Sequence, residues 1–310
     1  RLQNLYFFFW KYLSWSLIPI SWYQNRGNDI IISFLEGPTH IFVANIPTKA
    51  RKVSWVHVDL SNERKSEKFF KNLQQNKKSY LKFDHIVAVS KNVKWSLENY
   101  IGLKKQKPIS VIYNAYDEQK ILNMAEQNKT ILEENIMNIV TVGRLSYQKG
   151  YDRLIKAVSK NINPKIPYKI YILGDGENRV SLEKLILDLG VSDRVIIKGF
   201  VRNPYTYIKQ SNVFIAPSRT EGYSTVVVES IIIGTPVIVT DCSGMDEILN
   251  GGNYGDIVEN STRAIEEALF NLSQSEEYLK SLVEKVGKAK DIYKLDKSIE
   301  RIDSFLENLR

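Results

Sequence analysis

The stretch Glu221-Gly222-Tyr223-Ser224-Thr225-Val226-Val227-Val228-Glu229 constrains the chain most, because it sets two carboxylates eight residues apart between two runs suited only to burial. Before it, Val213-Phe214-Ile215-Ala216-Pro217 reads as a buried strand. After it, Gly234-Thr235-Pro236 stops whatever Ser224–Ile233 forms, and Val237-Ile238-Val239-Thr240 reads as the next strand. A strand, a turn, about ten residues and another strand is the spacing of a βαβ crossover. β-Branched residues are mediocre helix formers, so propensity alone makes VVVESIII a strand. The crossover topology overrules propensity and predicts a helix over Ser224–Ile233. The backbone N–H groups of Tyr223, Ser224 and Thr225 would then sit at a helix N-terminus, a natural seat for phosphate. Glu229 would lie about 7 Å further along, by the rise per residue. A carboxylate among Val and Ile is costly unless it hydrogen-bonds. Either a neighbouring Arg or backbone N–H satisfies it, or a pair of ligand hydroxyls does.

The rest of the 310 residues repeats this alternation. Strands are predicted at Asp29–Phe34, Lys52–His57, Asp84–Val89 and Ile109–Tyr113. After the polar stretch Asp117–Asn135 they resume at Asn138–Val142, Tyr168–Leu173, Arg194–Ile197 and Asp256–Val258. Near-continuous apolar runs of this kind belong to parallel sheets covered by helices. Helices are predicted after Gly37-Pro38, over Glu63–Tyr80 with Phe69, Phe70 and Leu73 on its apolar side, from Ser90 to Tyr100, and at 152–160, 178–189 and 204–210. A final helix over Lys294–Leu309 carries Ile299, Ile302, Phe305 and Leu306 along one side. The expected fold is α/β, with two doubly wound, Rossmann-like domains facing a cleft. The boundaries are residues 1–118 and 119–291, with 292–310 packing back on the first domain.

Charge is uneven. The net charge is +8, and residues 1–135 hold 20 Lys+Arg against 12 Asp+Glu, whereas residues 136–310 hold 23 of each. Between Lys49 and Lys107 there are 15 basic and 5 acidic side chains. Such a face suits nucleic acid, an anionic membrane surface or a phosphorylated substrate, and equally an ordinary solvated face. No nucleic-acid motif accompanies it, so no nucleic-acid partner is expected. A single cysteine, Cys242, argues against a disulfide scaffold and for a reducing compartment. The chain opens at Arg1, and the aromatic stretch Leu5–Ile20 is too short and too interrupted by Lys11, Ser14 and Ser16 for a membrane span. It reads as one or two helices packing on a sheet, and an upstream part is expected to be missing.

Polar groups gather where predicted strands end, which is where open α/β sheets bind ligands. Gly143-Arg144-Leu145-Ser146-Tyr147-Gln148-Lys149-Gly150 places a planar guanidinium and a compact ammonium five residues apart, a pair able to hold a diphosphate. Gly174-Asp175-Gly176 lets backbone approach a ligand closely, or is simply a βα turn. Gly199-Phe200 can bring backbone against a nucleobase. His57 ends a strand, with a satisfied core histidine as the alternative; His40 reads as structural, and Glu36 and Asp59 lie on loops.

As a set, Gly143-Arg144…Lys149-Gly150, Gly174-Asp175-Gly176, Pro217-Ser218, Glu221-Gly222…Glu229, Gly234-Thr235-Pro236-Val237 and Gly244…Glu247 resemble the family-four retaining glycosyltransferases of the GT-B architecture. The likeness is close over 138–255 and looser in the first half. It implies a nucleotide-sugar donor, expected to be UDP-linked, and a saccharide or lipid-linked acceptor in surface polysaccharide or glycolipid synthesis. Arg144 and Lys149 would bind the diphosphate, and Glu221 would face the transferred sugar. Tyr223, Ser224 and Thr225 would hold phosphate, Gly174 would approach the donor, Glu229 would take the ribose hydroxyls, and His57 would lie near acceptor or donor sugar. Two departures matter. The leading strand and glycine-rich loop of that family have no match, so the first domain is short by a βαβ segment. No Asp-x-Asp pair occurs, so no metal is expected. The enzyme is expected to be cytoplasmic and peripheral on the inner membrane face. A nucleotide-sugar epimerase of the same architecture, or a non-catalytic partner subunit, are the alternative readings.

Overall fold

The branched apolar runs pair with one another, and every pairing is parallel. The computed structural model describes residues 27–62, 69–127, 132–161, 163–289 and 292–309. The expected helices over Leu5–Ile20 lie outside them. The chain divides into two units, Arg1–Asn114 with Ile299–Arg310, and Ala115–Ser298.

In the first unit, β1 (Ile30–Ser33), β2 (Arg51–Val56), β3 (His85–Ala88) and β4 (Ile109–Val111) lie side by side in chain order. Val53, Val56, Ile86, Val87 and Ala88 are fully buried. Helix α1 (Pro38–Asn45) starts with proline at its first position, where a missing N–H costs nothing. Residues 63–68 of the helix expected over Glu63–Tyr80 lie outside the described residues; over the rest, helix α2 is shorter than the sequence suggests. It spans Leu73–Tyr80, and Phe69 and Phe70 precede it. Asn72 stops any continuation: its backbone is extended and its side chain accepts the Gln75 N–H, an N-cap in place of a helical turn. The residues α2 buries are Asn76 and Tyr80, while Leu73 is exposed. Helix α3 (Lys91–Trp95) is capped by Ser90, which accepts the Val93 N–H, and runs into a π-helical turn over Ser96–Tyr100. Phe305, from the C-terminal segment of this unit, packs edge-on against Trp55 and His85.

His40 is structural, as its position after Gly37-Pro38 suggests. Its ring is 1% exposed, meets Ser54 Oγ at 3.1 Å and Ser79 Oγ at 2.8 Å, and stacks near Tyr80 and Phe83.

The second unit holds a six-stranded sheet ordered β10-β9-β8-β5-β6-β7. Its strands are β5 (Met137–Val142), β6 (Tyr168–Leu173), β7 (Val195–Gly199), β8 (Val213–Ala216), β9 (Val237–Thr240) and β10 (Asp256–Val258). Ile139, Ile170, Ile172, Val213 and Ile215 share a core with Leu154, Ile155 and Leu269. Helix α4 (Glu118–Ala125) forms in the polar stretch for which the sequence suggested no element. Asp117 caps it by accepting the Lys120 N–H, and Ile121 and Ala125, one turn apart, are its buried face. Then follow α5 (Tyr151–Lys160), α6 (Arg179–Asp188) and α7 (Tyr205–Gln210). The disputed run is helical: α8 spans Thr225–Ile233 and ends at Gly234, whose φ of 87° only glycine adopts freely. Helix α8 packs against α4 and α7, so tertiary burial outweighs its β-branched composition.

Burial pushes the His40 imidazole down from 6.5 to about 3. The unfolded chain takes up this proton near pH 6.5 and the folded chain only near pH 3. The contribution to stability is therefore complete above 6.5 and is lost as pH falls through that window. The melting temperature is expected to drop on acidification from pH 6.5, and His40→Asn to flatten the drop. Parallel melting curves for parent and variant would show that this ring protonates without loosening the unit.

Candidate active site

Strand order in the second sheet reverses beside β5: the chain moves from β5 to β6 and β7 on one side, then returns to β8 and moves to β9 and β10 on the other. Ligands of open α/β sheets bind at such a reversal, outside the carboxyl ends of the strands. Here the loops after β5 and β8 meet there. A Cβ on Gly150 would come within 2.0 Å of the Pro217 carbonyl oxygen, and the φ of 68° is left-handed, so the position demands glycine. The same applies to Gly174 after β6, where a Cβ would lie 1.9 Å from the Gly143 carbonyl oxygen. Arg153 donates from Nη2 to that Pro217 carbonyl at 2.7 Å.

Glu221 is 8% exposed. One of its oxygens, Oε1, accepts from Lys149 Nζ at 2.7 Å and from Ser218 Oγ at 2.7 Å. A buried carboxylate is tolerable on those terms and costly without them. A small, partly open recess beside the pair is lined by residues that include Thr141, Lys149, Tyr151, Ser218, Glu221 and Ser224. Arg144 and Lys149, read as one cationic pair in the sequence, differ in the structure. Lys149 is half-buried and engaged, whereas Arg144 is exposed, with no ion-pair partner among the described residues.

At the start of α8, Tyr223 and Ser224 are buried and Thr225 is exposed. Ser224 is the N-cap residue, yet its side chain makes no capping hydrogen bond. Glu229 is half-buried. Its partner is the Tyr205 hydroxyl from α7, which donates to Oε1 at 3.1 Å, in place of the Arg or backbone N–H suggested by the sequence. Burial pushes the Glu229 carboxyl above its usual range, and the Tyr205 hydrogen bond works the other way.

His57 belongs to the first unit. Its backbone N–H and that of Val58 donate to Glu36 Oε1, so Glu36 serves the loop. The half-buried ring lies against Phe34, with centroids 4.8 Å apart, and burial holds its pKa below the usual value. Asp59 takes Ser61 and Asn62 as partners and likewise organises its own turn. The structure thus brings together Lys149, Glu221, Ser224 and Ser218, which the sequence carried in its Pro217-Ser218 motif with no role assigned. That motif, three residues before Glu221, is the local signal for Ser218. Tyr205 had none. Phe200, after β7, is exposed. Among the described residues, no group of three or more His, Cys, Asp or Glu is placed to hold a metal ion, and no helix is long and apolar enough to cross a membrane.

Comparison with known proteins bears on this geometry. A Campylobacter jejuni protein named N-acetylgalactosamine-N,N'-diacetylbacillosaminyl-diphospho-undecaprenol 4-alpha-N-acetylgalactosaminyltransferase is 33% identical over 183 residues, which is 58% of this chain and 48% of that protein. An uncharacterised glycosyltransferase of Methanocaldococcus jannaschii is 29% identical over 215 residues, 67% of this chain and 52% of the relative. The matches therefore span about half the length of these curated relatives. Among solved structures, Anabaena HepE in complex with UDP and glucose has a TM-score of 0.78 at 18% identity, covering 94% of this chain and 82% of that one. Sucrose-phosphate synthase from Thermosynechococcus elongatus has a TM-score of 0.76 at 16% identity, covering 93% and 75%. These likenesses establish the GT-B type of fold. Residues 123–289, more than half of the chain, match the family described as glycosyl transferases group 1, and the chain belongs to that family.

Proposed function

We propose that the protein is a retaining glycosyltransferase of the family-four type. It moves a sugar from a UDP-sugar to a saccharide or lipid-linked acceptor in surface polysaccharide or glycolipid synthesis. The observation that carries this reading is the Lys149–Glu221–Ser218 cluster at the strand-order reversal, beside the N-terminus of α8. The names of the relatives support it: the Campylobacter protein is named for a diphospho-undecaprenol substrate, and HepE was crystallised with UDP and glucose.

In this reading the second unit takes the donor and the first the acceptor. Transfer breaks the bond between the anomeric carbon and the diphosphate, and negative charge builds on the leaving phosphate. Arg144 and Lys149 meet that charge, and the N–H groups around Tyr223, Ser224 and Thr225 add the field of a helix N-terminus; cations and dipoles fixed beforehand need no reorganisation during the reaction. Close backbone at Gly174 leaves room for the diphosphate. Glu221 faces the transferred sugar, Glu229 accepts from the ribose hydroxyls, and His57 lies near the acceptor or the donor sugar. The basic surplus of residues 1–135 faces lipid-linked acceptors at an anionic cytoplasmic leaflet.

Lys149→Ala, Arg144→Ala and Glu229→Ala are each expected to weaken UDP binding by roughly ten- to a hundredfold, the worth of a charge-assisted hydrogen bond. Calorimetric titration checks this, and an unchanged affinity in the Glu229 variant would remove the ribose assignment. Glu221→Gln is expected to lower the turnover of donor hydrolysis far more than UDP affinity; the reverse pattern would move Glu221 from the sugar to the phosphates. The chain is also expected to sediment with anionic liposomes, less so as salt rises. Binding that ignores salt, or no binding, would reduce the basic face to ordinary solvation.

A further inference from the structure

Arg219 lies between Ser218 and Glu221 but is absent from the lining of the recess. Its contacts run the other way, to the residues on both sides of Lys149. Its backbone N–H donates to the Gln148 carbonyl at 2.7 Å, and Gln148 Nε2 returns a hydrogen bond to the Thr220 carbonyl at 3.0 Å. Its guanidinium donates from Nη1 to the Tyr147 carbonyl at 2.8 Å and to Asp152 Oδ1 at 2.7 Å, and from Nη2 to Asp152 Oδ2 at 2.8 Å. The guanidinium carbon stands 3.9 Å from the centre of the Tyr147 ring. Asn260 Nδ2 holds the Arg219 carbonyl at 2.9 Å.

A two-pronged Arg–carboxylate pair fixes orientation as well as distance, which a lysine in the same place does not. The short turn Tyr147–Lys149 is therefore held at Tyr147 and Gln148 before Lys149, and at Asp152 after it. Lys149 projects from that clamped turn to Glu221, two residues beyond Arg219 in the other loop. We propose that Arg219, locked to Asp152 and Tyr147, is a positioning residue that sets Lys149 and Glu221 in register for the donor diphosphate. The proposal rests on the reading of Lys149 as a diphosphate ligand. The charge balance agrees: burial raises the Asp152 pKa, but hydrogen bonding and charge from Arg219 outweigh it and keep the carboxyl below its usual range.

The test uses the 310-residue chain with UDP and with uridine, which lacks the phosphates. Arg219→Lys keeps the charge and loses the fork; Asp152→Asn removes the acceptor charge at similar size and reads the same contact if the first variant folds poorly. Each is expected to weaken UDP by about tenfold, a typical coupling between residues in one network, and to leave uridine unchanged. On a Lys149→Ala background, Arg219→Lys is expected to cost no further UDP affinity. A purely structural clasp predicts equal losses for UDP and uridine, or an undiminished loss on the Lys149→Ala background, and either overturns the proposal. So does parental UDP affinity in Arg219→Lys or Asp152→Asn at an unchanged melting temperature. Unchanged UDP affinity in Lys149→Ala alone would instead remove the underlying reading, and the proposal with it.

Discussion

The reversal of strand order between β5 and β8 is the constraint on which the site depends. Crossovers that leave β5 in one direction and reach β8, β9 and β10 in the other set two neighbouring strand ends apart as a crevice, the place where open α/β sheets bind ligands. Loops that follow those strands face one another whatever their sequence. This chain uses that proximity to join residues 72 positions apart, Lys149 with Glu221 and Gln148 with Thr220. Glycines at 150 and 174 let backbone meet backbone without side chains between.

Two carboxylates in this unit are withdrawn from water and are satisfied differently. Glu221 shares one oxygen between an ammonium and a hydroxyl, so its charge is matched by a charge. Among the described residues Glu229 has a tyrosine hydroxyl alone against its desolvation, and its pKa rises accordingly. A carboxylate left with a neutral partner retains acceptor capacity, as a ligand with hydroxyl groups requires. Beside them, Arg219 of the loop after β8 pairs with Asp152 at the start of α5 and ties the two segments together. In the first unit the buried His40 ring sits between two serine hydroxyls, and the half-buried Glu36 accepts from two backbone N–H groups.

The positions where sequence and structure part share a cause. Over Glu63–Tyr80 an amphipathic pattern suggested one long helix; in its described part, from Phe69 on, Asn72 bonds the backbone itself and the helix begins only at Leu73. In the stretch around Glu118–Ala125 a polar composition concealed a helix whose buried face is two residues, Ile121 and Ala125. Short elements carry too few periodic positions to stand out from composition, and their caps decide them.

What the sequence determines by itself is the alternation of strands and crossovers, the crossover helix ending at Ile233 with Glu229 on it, and the arrival of Arg144, Lys149, Gly174 and Glu221 in the loops that follow strands. These follow from local spacing: apolar runs of strand length, glycine and proline between them, and the minimum length of a parallel connection. Only the tertiary structure decides which strand lies beside which, and therefore that Lys149 bonds Glu221 while Arg144 stays in solvent, that Tyr205 answers Glu229, and that Arg219 clamps the turn before it. Those partners are 24 to 72 residues apart along the chain. No local pattern encodes a meeting that strand order alone creates.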